Sequence, residues 1–284
     1  MSVKTEIIFN RDLLAGAAYY FGRENGLNRR DRNRDRNQPP EAVKAALISK
    51  GVLSSDLKLL DKEFGYACYE HHRQMYEPDS FDLLLQKEAS GRKKILDLCC
   101  GAGATVFSLL GSKPEMIYGF DANASQIKLL EALLLEQNNK SSAVVVQDAD
   151  AHRIPLADAS VDFVICRVAL QYLNAEQALA EMYRVLSPGG KVFLLVHGSG
   201  YIGNYLFARK GAFSKKTLQF VRNKLLRPPT ADPAFHRSQA NFFRKKTLIK
   251  LLEAQGFQAA QLHTFADSMT LGLLPVYFAV TAER

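Results

Sequence analysis

Three carboxylates frame the chemistry available to this chain. Asp97, Asp121 and Asp150 each follow a short apolar run, 24 and then 29 residues apart. Directly after the first comes a turn, "CCGAGAT", with Gly101 and Gly103. Glycines there let the backbone approach a ligand that side chains would hold off. A carboxylate ending the next apolar run can accept hydrogen bonds from ribose hydroxyls, and Asp150 is placed to meet an adenine edge. Cys99 stands where a nucleotide-binding loop often carries its first glycine, and it is small enough for close approach if its φ stays negative. Plainer roles stand beside these. Asp97 could cap the helix that follows, and Asp148 competes with Asp150 for the adenine edge. Cys100 reads as a small core side chain rather than a nucleophile.

Such residues need a scaffold that delivers them to one place. From Lys93 onward strands and helices alternate: "KKILDLC", "MIYGFD", "SAVVVQD", "VDFVICR" and "GKVFLLVH" are strands. Between them "ATVFSLLGSK", "ASQIKLLEALLLEQNN" and "NAEQALAEMYRVLS" are helical. Short β-branched runs separated by helices predict βαβ units and a buried parallel sheet. "FQAAQLHTF" and "PVYFAVTAE" near the end form a pair of antiparallel strands. Gly189 and Gly190 after Pro188 turn the chain from a helix into the next strand. The expected class is α/β, a doubly wound Rossmann-like sheet, in which ligands sit at the carboxyl ends of strands where strand order reverses.

Residues 1–90 read as a helical lid region ahead of a main domain over 91–284. Pro40 and Gly51 bracket one helix, and Asp79 or Ser80 caps another. The stretch from Arg23 to Pro40 is polar and charged, and reads as a loop. No run of 18 apolar residues occurs, which argues against a membrane span. The first residues lack the compact apolar core of a signal peptide. Four cysteines without metal-ligand spacing read as reduced thiols in a cytoplasmic protein with no metal.

Four stretches in order, "ILDLCCGAGAT", "YGFDANASQI", "QDADAHRIPLADASVDFVICRVALQYL" and "YRVLSPGGKVFLLV", resemble class I S-adenosylmethionine-dependent methyltransferases. The resemblance covers about residues 91 to 197. It implies S-adenosyl-L-methionine as cofactor, with its methionine part cradled by Asp97, Cys99, Gly101 and Gly103. It also implies ribose binding by Asp121, with Ala122 against the adenine, and adenine contacts from Asp150 and Ala151. Arg167 then falls near the methionine end. Cys99 in place of glycine departs from the family pattern.

A second glycine motif, Gly198, Gly200 and Gly203, follows "FLLVH" in the G-x-G-x-x-G spacing of a dinucleotide-binding turn. The acid expected about 20 residues later is missing, so these glycines read as a flexible entry into a cap inserted at about 199–247. From Ser199 to Lys250 the chain carries 12 Lys or Arg residues, among them Lys245 and Lys246, and one acid, Asp232. Such a segment is either a solvated basic face or an attractor for a small acceptor that is anionic or carrier-bound. Nucleic acid is the weaker reading, because aromatic residues for base stacking are sparse between the charges.

Methyl transfer to oxygen, nitrogen or carbon of a small metabolite is an in-line displacement, helped by a base that removes a proton. His71, His72, His152, His197 and His236 are candidates, and the reading favours His72 and His197. Tyr66, Tyr69 and Tyr76 are expected to line the lid.

Overall fold

The computed structural model describes residues 2–27, 38–137, 143–204, 242–266 and 268–284. Most of the basic cap, from 205 to 241, and the charged run 28–37 lie outside the described residues. So do His236 and the basic side chains from Arg209 to Arg237.

Five helices come first: α1 (Val3–Phe9), α2 (Arg11–Asn25), α3 (Glu41–Ser49), α4 (Lys62–Tyr76) and α5 (Ser80–Ala89). Their ends follow local chemistry. The Asn10 side chain accepts the backbone N–H groups of Asp12 and Leu13 at the start of α2, and Asp61 accepts that of Phe64 at the start of α4. Asp79 and Asp82 form a reciprocal capping box on α5, satisfying two amides that the first turn would otherwise leave without partners.

The sheet follows: β1 (Lys94–Leu98), β2 (Met116–Asp121), β3 (Ala143–Asp148), β4 (Val161–Arg167), β5 (Leu186–His197), β6 (Gln258–His263) and β9 (Tyr277–Glu283). Helices α6 (Ala104–Leu109), α7 (Ala124–Gln137), α8 (Ala175–Val185) and α9 (Gly200–Asn204) connect or follow them. A last helix, Lys245–Ala254, precedes β6. The order across the sheet is β3-β2-β1-β4-β5-β9-β6. β1 to β5 run parallel, and β9 lies antiparallel between β5 and β6. This is the doubly wound, mostly parallel sheet with an antiparallel C-terminal pair that the sequence predicts, and strand order reverses between β1 and β4. One local difference concerns Gly189 and Gly190. They lie inside β5 at a register shift against β4, rather than in a turn before it.

Side chains of a strand alternate between faces, so each strand feeds two cores. Ile95, Ile117, Phe163, Ile165, Phe193 and Leu195 pack with buried residues of α1 to α7. Leu96, Leu98, Val164, Cys166, Val192 and Leu194 pack with α8 and the helix Lys245–Ala254. The N-terminal helices therefore share a core with the sheet. Their apolar faces, such as Ile7, Leu14 and Leu85, are buried against it.

The second glycine motif has a structural explanation. A small hairpin, β7 (Thr270–Leu271) and β8 (Leu274–Pro275), packs against β5's end and α9. A Cβ on Gly198 would lie 2.3 Å from the Pro275 carbonyl oxygen, and one on Gly200 2.5 Å from that of Leu274. On Gly203 it would meet the Leu271 side chain at 2.1 Å. These glycines serve close packing rather than flexible entry. Gly198→Ala should therefore cost about 1–3 kcal/mol by overpacking against rigid backbone. Gly111→Ala, with open space around the new methyl, should lie within about 1 kcal/mol of the parent. Urea unfolding of the two variants checks this, and equal stabilities would refute the packing account.

Candidate active site at the switch point

Alternation decides which side chains meet. Counting by twos from the buried residues of the first core, Asp97, Asp121, Arg167 and His197 all fall on one face. They stand at the carboxyl ends of β1, β2, β4 and β5, the face covered by the N-terminal helices. The registers Asp97↔Ile165 and Arg167↔Leu195 set Asp97, Arg167 and His197 stepwise across three adjacent strands.

Asp97 is buried, and its Oδ2 has no hydrogen-bond partner among the described residues. Burial pushes its carboxyl up to about 7, against the pull of the Arg167 guanidinium. Such an orphaned acceptor in a glycine-lined turn is what a cationic or hydroxyl-bearing ligand would complete.

Asp121 is already at work on the protein. Its Oδ2 accepts the Gly101 N–H at 2.8 Å and its Oδ1 that of Asn123 at 2.8 Å. One lone pair on each oxygen remains to accept from a ligand's hydroxyls, while the same carboxylate holds the loop in shape. Burial raises its carboxyl above the ordinary range. Ala122 beside it is exposed. Asp150 stands past β3, where its Oδ1 accepts from the backbone N–H and ring Nδ1 of His152, at 2.9 and 2.7 Å. Ala151 is buried. Asp148 pairs in register with Asp121 at the end of β3.

The loop carries its own strain. Gly101 and Gly103 have φ of 54° and 80°. A Cβ on Gly103 would strike Leu130 at 2.3 Å. Cys99 has φ 62°, which corrects the expectation that it stays in the negative region. An L-residue there costs roughly 1–2 kcal/mol. The neighbouring Cys166 thiol and burial raise the Cys99 pKa well above the ordinary value. It is therefore a protonated spacer rather than a nucleophile. Val168, just past β4, has φ 49°. A β-branched residue in that region is a rare outlier. The two strained residues stand either side of the β1–β4 switch point, a pattern typical of functional sites.

Arg167 is clamped from the other side. Its Nη1 lies 2.8 Å from Asp82 Oδ1 of α5, and Asp82 is only 3% exposed. Asp82 also pairs with Arg73 of α4, which reaches Glu70 at 3.0 Å. Burial pushes Asp82 up, but Arg167 and Arg73 outweigh it and hold its carboxyl below the ordinary range. Gln74 continues the chain, donating to Glu70 and accepting from Thr105 at the start of α6.

The two favoured histidines part company here. His197 is buried at the end of β5, stacked on Tyr201 with ring centroids 3.6 Å apart. Tyr277 and Tyr172 meet it edge-on. His72 instead lies beside Tyr76 and Glu77, away from the loop. It is His71, about 100° round the helix, that reaches the loop, with Nε2 2.8 Å from the Ala102 carbonyl oxygen. Burial lowers the His71 pKa to about 4, so the ring is neutral and Nε2 donates. Tyr66 and Tyr69 pack on Phe21 of α2, and Tyr76 lies under Arg11. Asp82, Tyr201 and Tyr277 border this region without having been singled out from sequence, and His71 was a candidate passed over for His72. The buried stripe Phe64, Ala67, Cys68, His71, Gln74 on α4 was the available signal for His71.

Residues 96–194 match the family model described as a methyltransferase domain. A ubiquinone/menaquinone biosynthesis C-methyltransferase of Stutzerimonas stutzeri is 30% identical over 201 residues, covering 67% of this chain and 74% of that protein. This chain belongs to the class I S-adenosylmethionine-dependent methyltransferases. A demethylmenaquinone methyltransferase of Lactobacillus johnsonii shares 36% of 104 residues with the methyltransferase, covering 35% of it and 42% of the relative. The methyltransferase thus spans about half the length of several curated relatives that it matches. In fold it is similar to phosphoethanolamine N-methyltransferase 2 of Haemonchus contortus, solved in complex with S-adenosyl-L-methionine. That likeness has a TM-score of 0.56 at 13% identity and covers 78% of this chain and 56% of the other.

S-adenosylmethionine is the cofactor, and the orphaned Asp97 oxygen and the remaining Asp121 lone pairs fit its ammonium and ribose. Among the described residues no group of three His, Cys, Asp or Glu side chains could hold a metal, and no helix is long and apolar enough to cross a membrane.

Asp97 leaves a pH signature in the methyltransferase without cofactor. Its folded pKa of about 7 lies above the ordinary carboxyl value of about 4. The folded state therefore holds the extra proton, and this stabilisation is full below pH ~4 and lost as pH rises through 7. Asp97→Asn should flatten that fall by roughly 2 kcal/mol between pH 5 and 8. Urea midpoints at both pH values measure it, and an unchanged slope would remove Asp97 as the titrating group.

Proposed function

We propose that this methyltransferase moves a methyl group to a small acceptor that reacts as an anion, through oxygen, nitrogen or carbon. His197 receives the acceptor's proton. One observation carries this reading. An imidazole is buried on the same sheet face as Asp97 and Arg167, at the carboxyl end of β5, among three tyrosine rings. The tyrosines favour a planar, ring-bearing acceptor, since flat aromatic faces stack on flat ligands. The quinone-biosynthesis names of two relatives point the same way.

When bound, S-adenosylmethionine supplies a methyl carbon already activated by its sulfonium, so the chain's share is alignment and proton handling. Asp97 holds the ammonium of the methionine part and Asp121 the ribose hydroxyls, while Asp150 and Ala151 border the adenine. Arg167 stays neutralised by Asp82 and steadies Asp97. A ring nitrogen of His197 accepts the proton that the acceptor gives up, leaving the acceptor's electron pair free to form the new bond. The adjoining tyrosines hold the imidazole in plane.

His197→Gln should lower kcat about a hundredfold or more while affinity for S-adenosylmethionine, read by titration calorimetry, changes little. An unaltered kcat would dismiss the base. Loss of cofactor binding would move His197 to the cofactor side.

The charge of the acceptor is tested separately. If the acceptor is an anion drawn by the basic segment, its KM should rise as salt screens the field. The double reversal Lys245→Glu and Lys246→Glu should mimic high salt, raising KM more than it lowers kcat, because steering acts before the transition state. A KM indifferent to both would leave a solvated basic face. A slope worth several released counterions would instead favour a nucleic-acid acceptor.

A further inference from the structure

The hairpin β7–β8 stands on the carboxyl edge of the sheet and takes no part in the site. Its tight turn places Gly272 at φ 59°, the conformation that the first central residue of a two-residue loop demands. Leu273 at the tip is 100% exposed, Leu274 48% and Leu271 36%. Scattered surface leucines need no explanation, but three within four residues on one tip do. The tip is held firmly. The Val276 N–H bonds to the Met269 carbonyl at 2.8 Å, closing the hairpin, and Gly198, Gly200 and Gly203 allow it to seat directly on β5 and α9.

Charge stands beside it. Gly198 is flanked on one side by Val276, whose carbonyl it bonds at 2.9 Å, and on the other by Phe243, with which it forms a parallel bridge. Two strand spacings, about 10 Å, therefore separate the base of the hairpin from the point where exposed Arg244 and Lys246 follow. In sequence, the stretch 199–250 holds 12 cations and one acid. An apolar tip next to cations is the composition of a surface that enters the headgroup layer of a negatively charged bilayer.

We propose that the hairpin Met269–Pro275 docks on an anionic lipid bilayer. Leu273 and Leu274 enter the boundary between headgroups and acyl chains, and Arg244 and Lys246 meet the lipid charges. A second copy of this chain is the poorer occupant. A two-fold contact through the tip would bring Arg244 and Lys246 near the same residues of the other copy, whereas anionic lipid neutralises them. Docking in this way turns the carboxyl edge of the sheet, with His197 and its tyrosines, toward the membrane. The surface goes beyond the proposed methyl transfer and does not depend on it, since binding needs neither cofactor nor acceptor.

The test is co-sedimentation of the full chain with vesicles of phosphatidylcholine alone and of phosphatidylcholine doped with phosphatidylglycerol. The protein should partition onto the doped vesicles, far less onto the neutral ones, and less as salt rises. Leu273→Asp, and the milder Leu273→Ser, should weaken partition about tenfold or more without moving Tm, because the side chain is fully exposed. Arg244→Glu with Lys246→Glu should weaken it similarly on doped vesicles. Equal binding to both vesicle types, or full binding by the Leu273 variants, overturns the proposal. A dimer in sedimentation velocity that Leu273→Asp dissolves would also overturn it, assigning the tip to a second copy.

Discussion

The site rests on a carboxylate shared between two guanidiniums. Asp82, at the third position of α5, caps its own helix and pairs with both Arg73 and Arg167. Its burial is tolerable because these cations pair with it, and a buried charge left without its partner typically costs about 3–5 kcal/mol. The same contact fixes where α5 sits and where Arg167 points. Through Gln74 and Thr105 it extends to the helix that opens after the glycine loop. The N-terminal helices are thus wired into the site by buried polar contacts as well as by apolar packing.

Charge balance across this region explains why two buried aspartates differ in opposite directions. Asp82 faces two cations at close range and stays ionised. Asp97 sits deeper, feels Arg167 at one remove with Asp121 nearby, and is held closer to neutral. In the proposed binding mode, Asp97 would be a group whose charge is unfavourable until a cationic ligand arrives. Arg167, satisfied by Asp82, cannot swing across to neutralise it. The pairing pattern, rather than any one residue, sets the charge state of each aspartate.

Much of this was legible from sequence. The apolar runs put Asp97, Asp121, Arg167 and His197 at or just past the ends of their strands, and Asp79 or Ser80 was readable as the cap of α5 from "PDSF". What escaped was tertiary. Arg167 and Asp82 are 85 positions apart, and no local pattern announces their pairing. The left-handed backbone at Cys99 and Val168 is imposed by neighbours, since neither residue type prefers it. The choice of His72 over His71 ignored the helical stripe of its own segment. Tyr201 was hidden inside a glycine motif being weighed for a different ligand.

The alternation of the strands also limits how this chain can change length. A single residue inserted within β4 ahead of Arg167 would rotate the guanidinium onto the opposite face, among Leu96 and Val164, where no carboxylate of α5 could reach it. The same parity binds β1 ahead of Asp97, β2 ahead of Asp121 and β5 ahead of His197. Duplications and deletions among homologues should therefore be absent from these four strands or come in pairs of residues. The surface connections between elements can absorb odd numbers freely.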